Sequence, residues 1–238
     1  DGKPLAPQTF QELAYVPERS VLYDWMTAGD HLEMTRLAYK RYSAKRAADL
    51  MQLFSLDSRK RIRAMSKGMR TALSVVMAFA IEPKMMILDE PTSGLDPVNQ
   101  RAVLKLIIDA AAQGTTIVLS SHQIGQVERA ADHIAVLKQG KAVLSGAVDD
   151  LKAGSKIVEG IFPSDSITVN GLASDKRIGR IERTGRILRL TVSAGGEELA
   201  GQLSQMGAQS VRIVDLNLED IFLNAVDGGS DAVVVESA

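Results

Sequence analysis

Two adjacent carboxylates, Asp89 and Glu90, follow the apolar run Met85-Met86-Ile87-Leu88 directly, and Pro91 stops the pattern. A short, uniformly apolar run reads as a strand buried on both faces of a parallel sheet. The carboxylates then fall at its carboxyl end, where open α/β sheets place their ligands; the plainer alternative is a solvated acidic turn. Ser66 and Gly68 stand at the start of a nearly all-apolar helical stretch, Ser66 to Ile81. A hydroxyl and a bare backbone beside first-turn N–H groups that lack partners suit an anion, although Ser-x-Gly before a helix is also an ordinary cap. His122 follows a second apolar run, Thr115 to Ser120, where a lone histidine is usually structural. Such residues could hold a cation, polarise a water and bind phosphate.

The segment Leu88-Asp89-Glu90-Pro91-Thr92-Ser93-Gly94-Leu95-Asp96-Pro97 closely resembles the Walker B and D-loop segment of ABC-type ATPases. Met65-Ser66-Lys67-Gly68-Met69 resembles the family's signature loop in a variant common among ABC-2 exporters, and Ser66 lies 23 residues ahead of Asp89. His122, 32 residues past Glu90, stands where the family has its switch histidine. Leu218-Glu219-Asp220-Ile221-Phe222-Leu223 resembles a C-terminal motif of the same exporter subfamily.

The resemblance implies an ATP-binding, ATP-hydrolysing subunit of an ABC exporter, with ATP and Mg²⁺ as cofactors. Asp89 would hold Mg²⁺ through water, because a hard cation wants carboxylate oxygens and keeps most of its hydration shell. Glu90 would polarise the attacking water, and His122 would touch the terminal phosphate. Ser66 and Gly68 would bind a partner's nucleotide, and the D-loop carrying Asp96 would reach across the dimer. Glu18 occupies the usual place of the Q-loop glutamine; a carboxylate can coordinate metal but cannot donate a hydrogen bond. Tyr23-Asp24-Trp25 resembles the region that faces the membrane subunit, and equally suits aromatics packing a helical subdomain. The implied partners are a transmembrane permease subunit and a second ATP-binding subunit. The implied location is cytoplasmic, on the inner face of the cell membrane.

No Gly-x-x-x-x-Gly-Lys followed by Ser or Thr occurs in the chain. In the family this P-loop precedes the Q-loop, so the resemblance lacks the backbone cradle for phosphates. In the family the segment that holds the P-loop also includes a central sheet strand, so the chain made alone is expected to bind ATP weakly or not at all and to be aggregation-prone. A second reading, from a different class, is a regulatory half-site protein that lends Ser66 and Gly68 to a complete partner; retention of both Asp89 and Glu90 weighs against it. A soluble ATPase of translation or DNA repair would show paired cassettes or long coiled insertions, and neither is present.

The elements that must position these residues follow from periodicity. Leu13 to Val16 is a short strand, and Thr27 with Asp30 can box the start of a helix carrying Leu32, Met34 and Leu37. A second helix over 44–54 has Ala48, Leu50, Met51 and Phe54 as its stripe. Val98 to Gln113 is amphipathic and closed by Gly114, and Ile124 to Ala131 gives a short helix. A hairpin turns at Gln139-Gly140. Alternating strands and helices indicate a parallel α/β sheet with an antiparallel tail. The expected fold class is an α/β P-loop NTPase (ABC ATPase) core, N-terminally incomplete, with a helical signature subdomain over about 27–80 and a small C-terminal α+β accessory domain. The expected domains are 1–150 and 151–226, with a boundary region around 151–165 and a loose tail over 227–238. The accessory domain should hold a strand over 187–192, a helix carrying Leu199, Leu203 and Met206, a strand over 211–214, and a last helix capped by Asn217.

With 28 basic and 29 acidic residues the chain has a net charge of −1, which does not favour nucleic acid. It contains no cysteine, which excludes thiolate chemistry and disulfides. Its most apolar segment, Ala72 to Ile81, is too short to span a bilayer. His31 and His133 have no supporting pattern and read as surface or packing residues.

Overall fold

The computed structural model describes residues 6–154, 156–165, 171–227 and 233–237, in two compact units, Asp1–Ala130 and Ala131–Ala238. In the first unit a 3-10 turn over Pro7–Glu12 leads into β1 (Leu13–Val16), which pairs with β2 (Met85–Asp89), itself paired with β3 (Thr116–Ser120). Both pairings are parallel, with Val16 opposite Leu88 and Asp89 opposite Ser120. The ends of all three strands therefore deliver residues to one edge of the sheet.

Five helices belong to this unit: α1 (Ala28–Ala38), α2 (Ala44–Leu53), α3 (Lys67–Ala80), α4 (Pro97–Ala112) and α5 (Ile124–Ala130). Thr27 and Asp30 close the expected capping box on α1, at 3.1 and 2.8 Å. The core gathers Val16, Ile62, Leu73, Val75, Val76, Met86, Leu88, Val103 and Ile107. α3 lies at its centre, with eight of its residues buried; truncating one of them, such as Leu73, to Ala costs about 2–5 kcal/mol.

Burial on both sheet faces does not hold. Met86 and Leu88 are fully covered while Met85 is exposed, and β3 leaves Val118 half-exposed because it is an edge strand. Side chains alternate across a strand, so a one-sided cover leaves every second residue open. On α2 the buried residue is Ala47, not Ala48, which gives the stripe Ala47, Leu50, Met51 and Phe54 at helical spacing. On α1 the buried face is Ala28, His31 and Thr35, and Met34 and Leu37 point outward.

The second unit opens with the expected hairpin, β4 (His133–Lys138) and β5 (Lys141–Ala147), turned by Gln139 and Gly140 at φ 49° and 76°. Paired positive φ angles match the twist of a two-residue hairpin turn. The sequence reading groups this hairpin with residues 1–150. There follow α6 (Val148–Gly154), β6 (Lys156–Ile161), β7 (Ile178–Thr184), β8 (Ile187–Val192), α7 (Gly196–Gln205), β9 (Ser210–Asp215), α8 (Leu218–Asp227) and β10 (Val233–Ser237). The last five strands form one sheet in the order β10-β7-β8-β6-β9, and α7 seats Leu199 and Leu203 on its apolar face.

Two elements differ from expectation. β6 lies inside this sheet although Gly154 and the stretch Pro163 to Ser166 on either side mark a boundary around 151–165 in the sequence, and Glu159 and Gly160 break its apolar run. Glu159 is buried and receives Arg189 at 2.6 Å and Arg212 at 2.7 Å, so its charge is matched inside the sheet. Residues 233–237, placed in the expected loose tail, pair as a parallel edge strand with β7. Three consecutive valines supply the β propensity; the rest of that tail after Asp227 lies outside the described residues.

Candidate functional site

The Asp89 carboxylate at the end of β2 accepts a hydrogen bond from the Ser120 hydroxyl at the end of β3. The strand register places them opposite each other. Glu90 comes next, with φ at +47°, a left-handed conformation that costs a non-glycine residue on the order of 1 kcal/mol. Several bonds hold it there. Its N–H donates to the Ser120 carbonyl at 3.1 Å, and its own carbonyl accepts from the Ser93 N–H at 3.0 Å. Its Oε1 accepts from the His122 N–H at 2.7 Å and meets the His122 ring Nδ1 at 2.8 Å. Its Oε2 is buried without a partner. A strained, over-determined carboxylate with one unsatisfied oxygen is built to receive a donor such as water.

With Nδ1 turned to Glu90, the His122 ring presents Nε2 outward, and its side chain is 75% exposed. The ends of β2 and β3 thus bring Glu90 to His122 and Asp89 to Ser120.

Ser66 and Gly68 meet a different neighbourhood. Ser66 caps α3, its hydroxyl accepting from the Met69 N–H at 3.2 Å. Gly68 lies so close to the following turn that a Cβ would come within 2.4 Å of the Gly94 carbonyl oxygen. Between them, Lys67 Nζ donates to Ser93 Oγ at 2.8 Å, and the Thr71 hydroxyl donates to the Ser93 carbonyl at 3.0 Å. Asp96 caps α4: one oxygen accepts from the N–H groups of Val98 and Asn99 at 2.9 and 3.0 Å, the other from the Asn99 amide at 2.6 Å. The Asn99 N–H leads the contacts that hold its carboxyl below the usual range, against slight burial.

Glu18 follows β1 past Pro17. Because β1 runs parallel to β2, Glu18 leaves the sheet at the end that carries Asp89. It lines a cavity of about 360 Å³ with Arg19, Ser20, Met65, Lys67, Arg70 and Thr71. Among the described residues no cluster of three or more His, Asp or Glu side chains could cage a metal. The Asp89 carboxylate beside the Ser120 hydroxyl is nonetheless an all-oxygen donor pair, which fits Mg²⁺ held by one carboxylate, water and substrate phosphates.

A part-buried polar network escaped the sequence reading. The Thr92 hydroxyl, 1% exposed as a residue, donates to Gln126 Oε1 at 2.9 Å. Gln126 Nε2 donates to Gln123 at 2.5 Å and Gln100 at 3.3 Å, and Gln100 Nε2 donates to the Leu95 carbonyl at 3.1 Å. Ser120 was missed too; its place at a strand end beside an acidic pair is the signal that could have found it. His31 is buried, its Nε2 accepting the Tyr23 N–H at 3.1 Å and its ring stacked on Tyr23. Burial lowers its pKa, which the Tyr23 contact only partly offsets. His133 is exposed at the start of β4. Trp25 is 71% exposed and Tyr23 53%.

Residues 24–127 match the family model described as "AAA domain, putative AbiEii toxin, Type IV TA system". The ABC transporter ATP-binding protein YtrB of Bacillus subtilis is 27% identical over 223 residues, covering 93% of this chain and 75% of that protein. The ABC-type transporter ATP-binding protein EcsA of the same organism is 32% identical over 64% of this chain and 65% of its own length. An uncharacterised ABC transporter ATP-binding protein of Nostoc, all4389, is 33% identical, and the match spans 47% of it. Among solved structures, an ATP-binding subunit of an ABC transporter superposes with a TM-score of 0.57 at 32% identity, covering 62% of this chain and 63% of that one. A dimeric ATP-binding cassette, MJ0796, bound to ADP and Pi, superposes with a TM-score of 0.51 at 20% identity over 58% of this chain and 63% of that one, a likeness of fold. The chain has the mixed α/β fold of the ABC ATPases, and the relatives above, with the 32% identical solved subunit, support the family of ABC transporter ATP-binding subunits.

Proposed function

We propose that this chain is the ATP-binding subunit of an ABC exporter, and that it supplies the metal and water side of an ATP-hydrolysing site. Membership of this family implies ATP hydrolysis. The observation that carries the reading is Glu90, held by His122 on one oxygen and left with a buried, unsatisfied second oxygen beside Asp89. In this role Glu90 orients and polarises the attacking water, and His122 Nε2 reaches the terminal phosphate. Asp89, with Ser120 beside it, would hold Mg²⁺, which would offset phosphate charge, and Glu18 at the neighbouring strand end would offer a second carboxylate.

Ser66 and Gly68 are proposed to face the nucleotide of a second ATP-binding subunit, and the turn carrying Asp96 to cross the same dimer. Closure of that dimer drives a transmembrane permease subunit at the cytoplasmic face of the membrane. Among the described residues no helix is long and apolar enough to cross a membrane. With no Gly-x-x-x-x-Gly-Lys-Ser/Thr in the sequence, the phosphate cradle must come from another segment or subunit. A second reading is a half-site that only lends its signature loop to a complete partner, and the retained Asp89 and Glu90 weigh against it.

ATP turnover by the assembled transporter tests the first reading. Asp89→Asn is expected to abolish Mg²⁺-dependent turnover, and the 238-residue chain alone to show none. Turnover that survives Asp89→Asn removes the proposed metal role. Full turnover in a complex where Asp89 and Glu90 are both neutralised establishes the half-site reading instead.

A further inference from the structure

The side chain between Ser66 and Gly68 reaches a turn of its own subunit. Lys67 Nζ donates to Ser93 Oγ at 2.8 Å, and Thr71, one helical turn on, donates to the Ser93 carbonyl at 3.0 Å. The same turn is wedged on α3 by backbone contact: a Cβ on Gly68 would meet the Gly94 carbonyl oxygen at 2.4 Å, and one on Gly94 would meet the Lys67 stem at 3.1 Å. Gly94 holds φ at +77°, so the turn cannot easily relax with another residue there. Ser93 in turn donates its N–H to the carbonyl of Glu90 at 3.0 Å. Glu90 is the residue whose left-handed backbone needs holding.

We propose that Lys67, assisted by Thr71, is a positioning residue for Glu90, acting through Ser93. The path is short and bonded throughout: ammonium to Ser93 hydroxyl, Thr71 hydroxyl to Ser93 carbonyl, and Ser93 N–H to Glu90 carbonyl. It ties the start of α3, where Ser66 and Gly68 sit, to the carboxylate pair of the same subunit. A displacement of the α3 start is therefore felt at the backbone of Glu90. The catalytic consequence rests on the proposed ATPase function; the mechanical link does not.

The test has two arms. In the full chain, amide hydrogen exchange at Ser93 and Glu90 is compared for Lys67→Met, Ser93→Ala, the double variant and Lys67→Arg. Lys67 is exposed, so its loss leaves the core intact. Losing one charged hydrogen bond at the surface should speed exchange at both amides about three- to tenfold in Lys67→Met. The double variant should exceed Ser93→Ala by little, Lys67→Arg should restore protection, and Leu104 in α4 should not change. In the assembled transporter, Lys67→Met should lower kcat with KM for ATP unchanged, and Lys67→Arg should recover it. Unchanged exchange at Ser93 and Glu90 overturns the link, and a raised KM with constant kcat shows that Lys67 contacts nucleotide instead. If the unaltered transporter hydrolyses no ATP, the ATPase reading fails, and the exchange arm still decides the link.

Discussion

Glu90 Oε1 takes two contacts from one residue, the backbone N–H of His122 at 2.7 Å and its ring Nδ1 at 2.8 Å. Glu90 follows β2 by one residue and His122 follows β3 by two, so the parallel register of the two strands brings the pair together. His122→Ala removes the ring contact and leaves the backbone donor. Because the ring is 75% exposed, melting should shift by no more than about 0.5 kcal/mol of stability. ATP turnover of the assembled transporter should fall at least about tenfold. Parallel thermal melts and turnover assays check both.

Gly68 is fixed by close approach. Gly68→Ala puts a Cβ 2.4 Å from the Gly94 carbonyl oxygen, and a backbone atom cannot swing away as a side-chain tip can. Overpacking of this kind costs about 1–3 kcal/mol. Denaturant unfolding of Gly68→Ala against the unaltered chain should show that loss, whereas Gly125→Ala, with open space around it, should not.

His31 gives the first unit a pH dependence. Its neutral Nε2 accepts the Tyr23 N–H inside the core, and burial pushes its pKa below the ordinary 6.5. Between the lowered folded value and 6.5 the unfolded chain binds more protons than the folded one. Stability therefore falls as pH drops through 6.5 and is fully present above it. Comparing urea midpoints at about pH 7.5 and about pH 5.5 should show the fall, and His31→Gln should flatten it.

Thr92 is the buried end of the glutamine network. Thr92→Val keeps the shape and removes the hydroxyl that donates to Gln126, which leaves a part-buried amide oxygen unpaired. The cost should be about 1–3 kcal/mol. A denaturation curve for Thr92→Val, set beside Gln126→Ala and the double variant, should show that the two losses do not add.

Much of this site is legible in the sequence because its residues stand at element boundaries. Asp89 and Glu90 follow a strand, Ser66 starts α3, and Asp96 starts α4, all where local patterns are strongest. Contacts between distant segments are not written that way. Nothing in the spacing of Thr92 and Gln126, or of Lys67 and Ser93, marks them as partners. The same limit explains β6: a charged residue inside an apolar run reads as a linker until Arg189 and Arg212 arrive from other strands to match Glu159. Burial on both faces of β2 and β3 was overread because apolar composition does not say how many layers cover a sheet. The helix stripe of α2 slipped by one residue because Ala47 and Ala48 are chemically identical.

The most direct measurement is the identity of the nucleotide left bound to the assembled transporter after incubation with ATP and Mg²⁺, for the unaltered chain and for Glu90→Gln. Gln keeps the size of Glu90 and an oxygen acceptor for the His122 N–H, but loses the charge proposed to polarise water. The unaltered protein should release phosphate and retain ADP, while Glu90→Gln should retain ATP, with turnover lowered by about 100-fold or more. ADP formed by Glu90→Gln at the unaltered rate would contradict the role of Glu90.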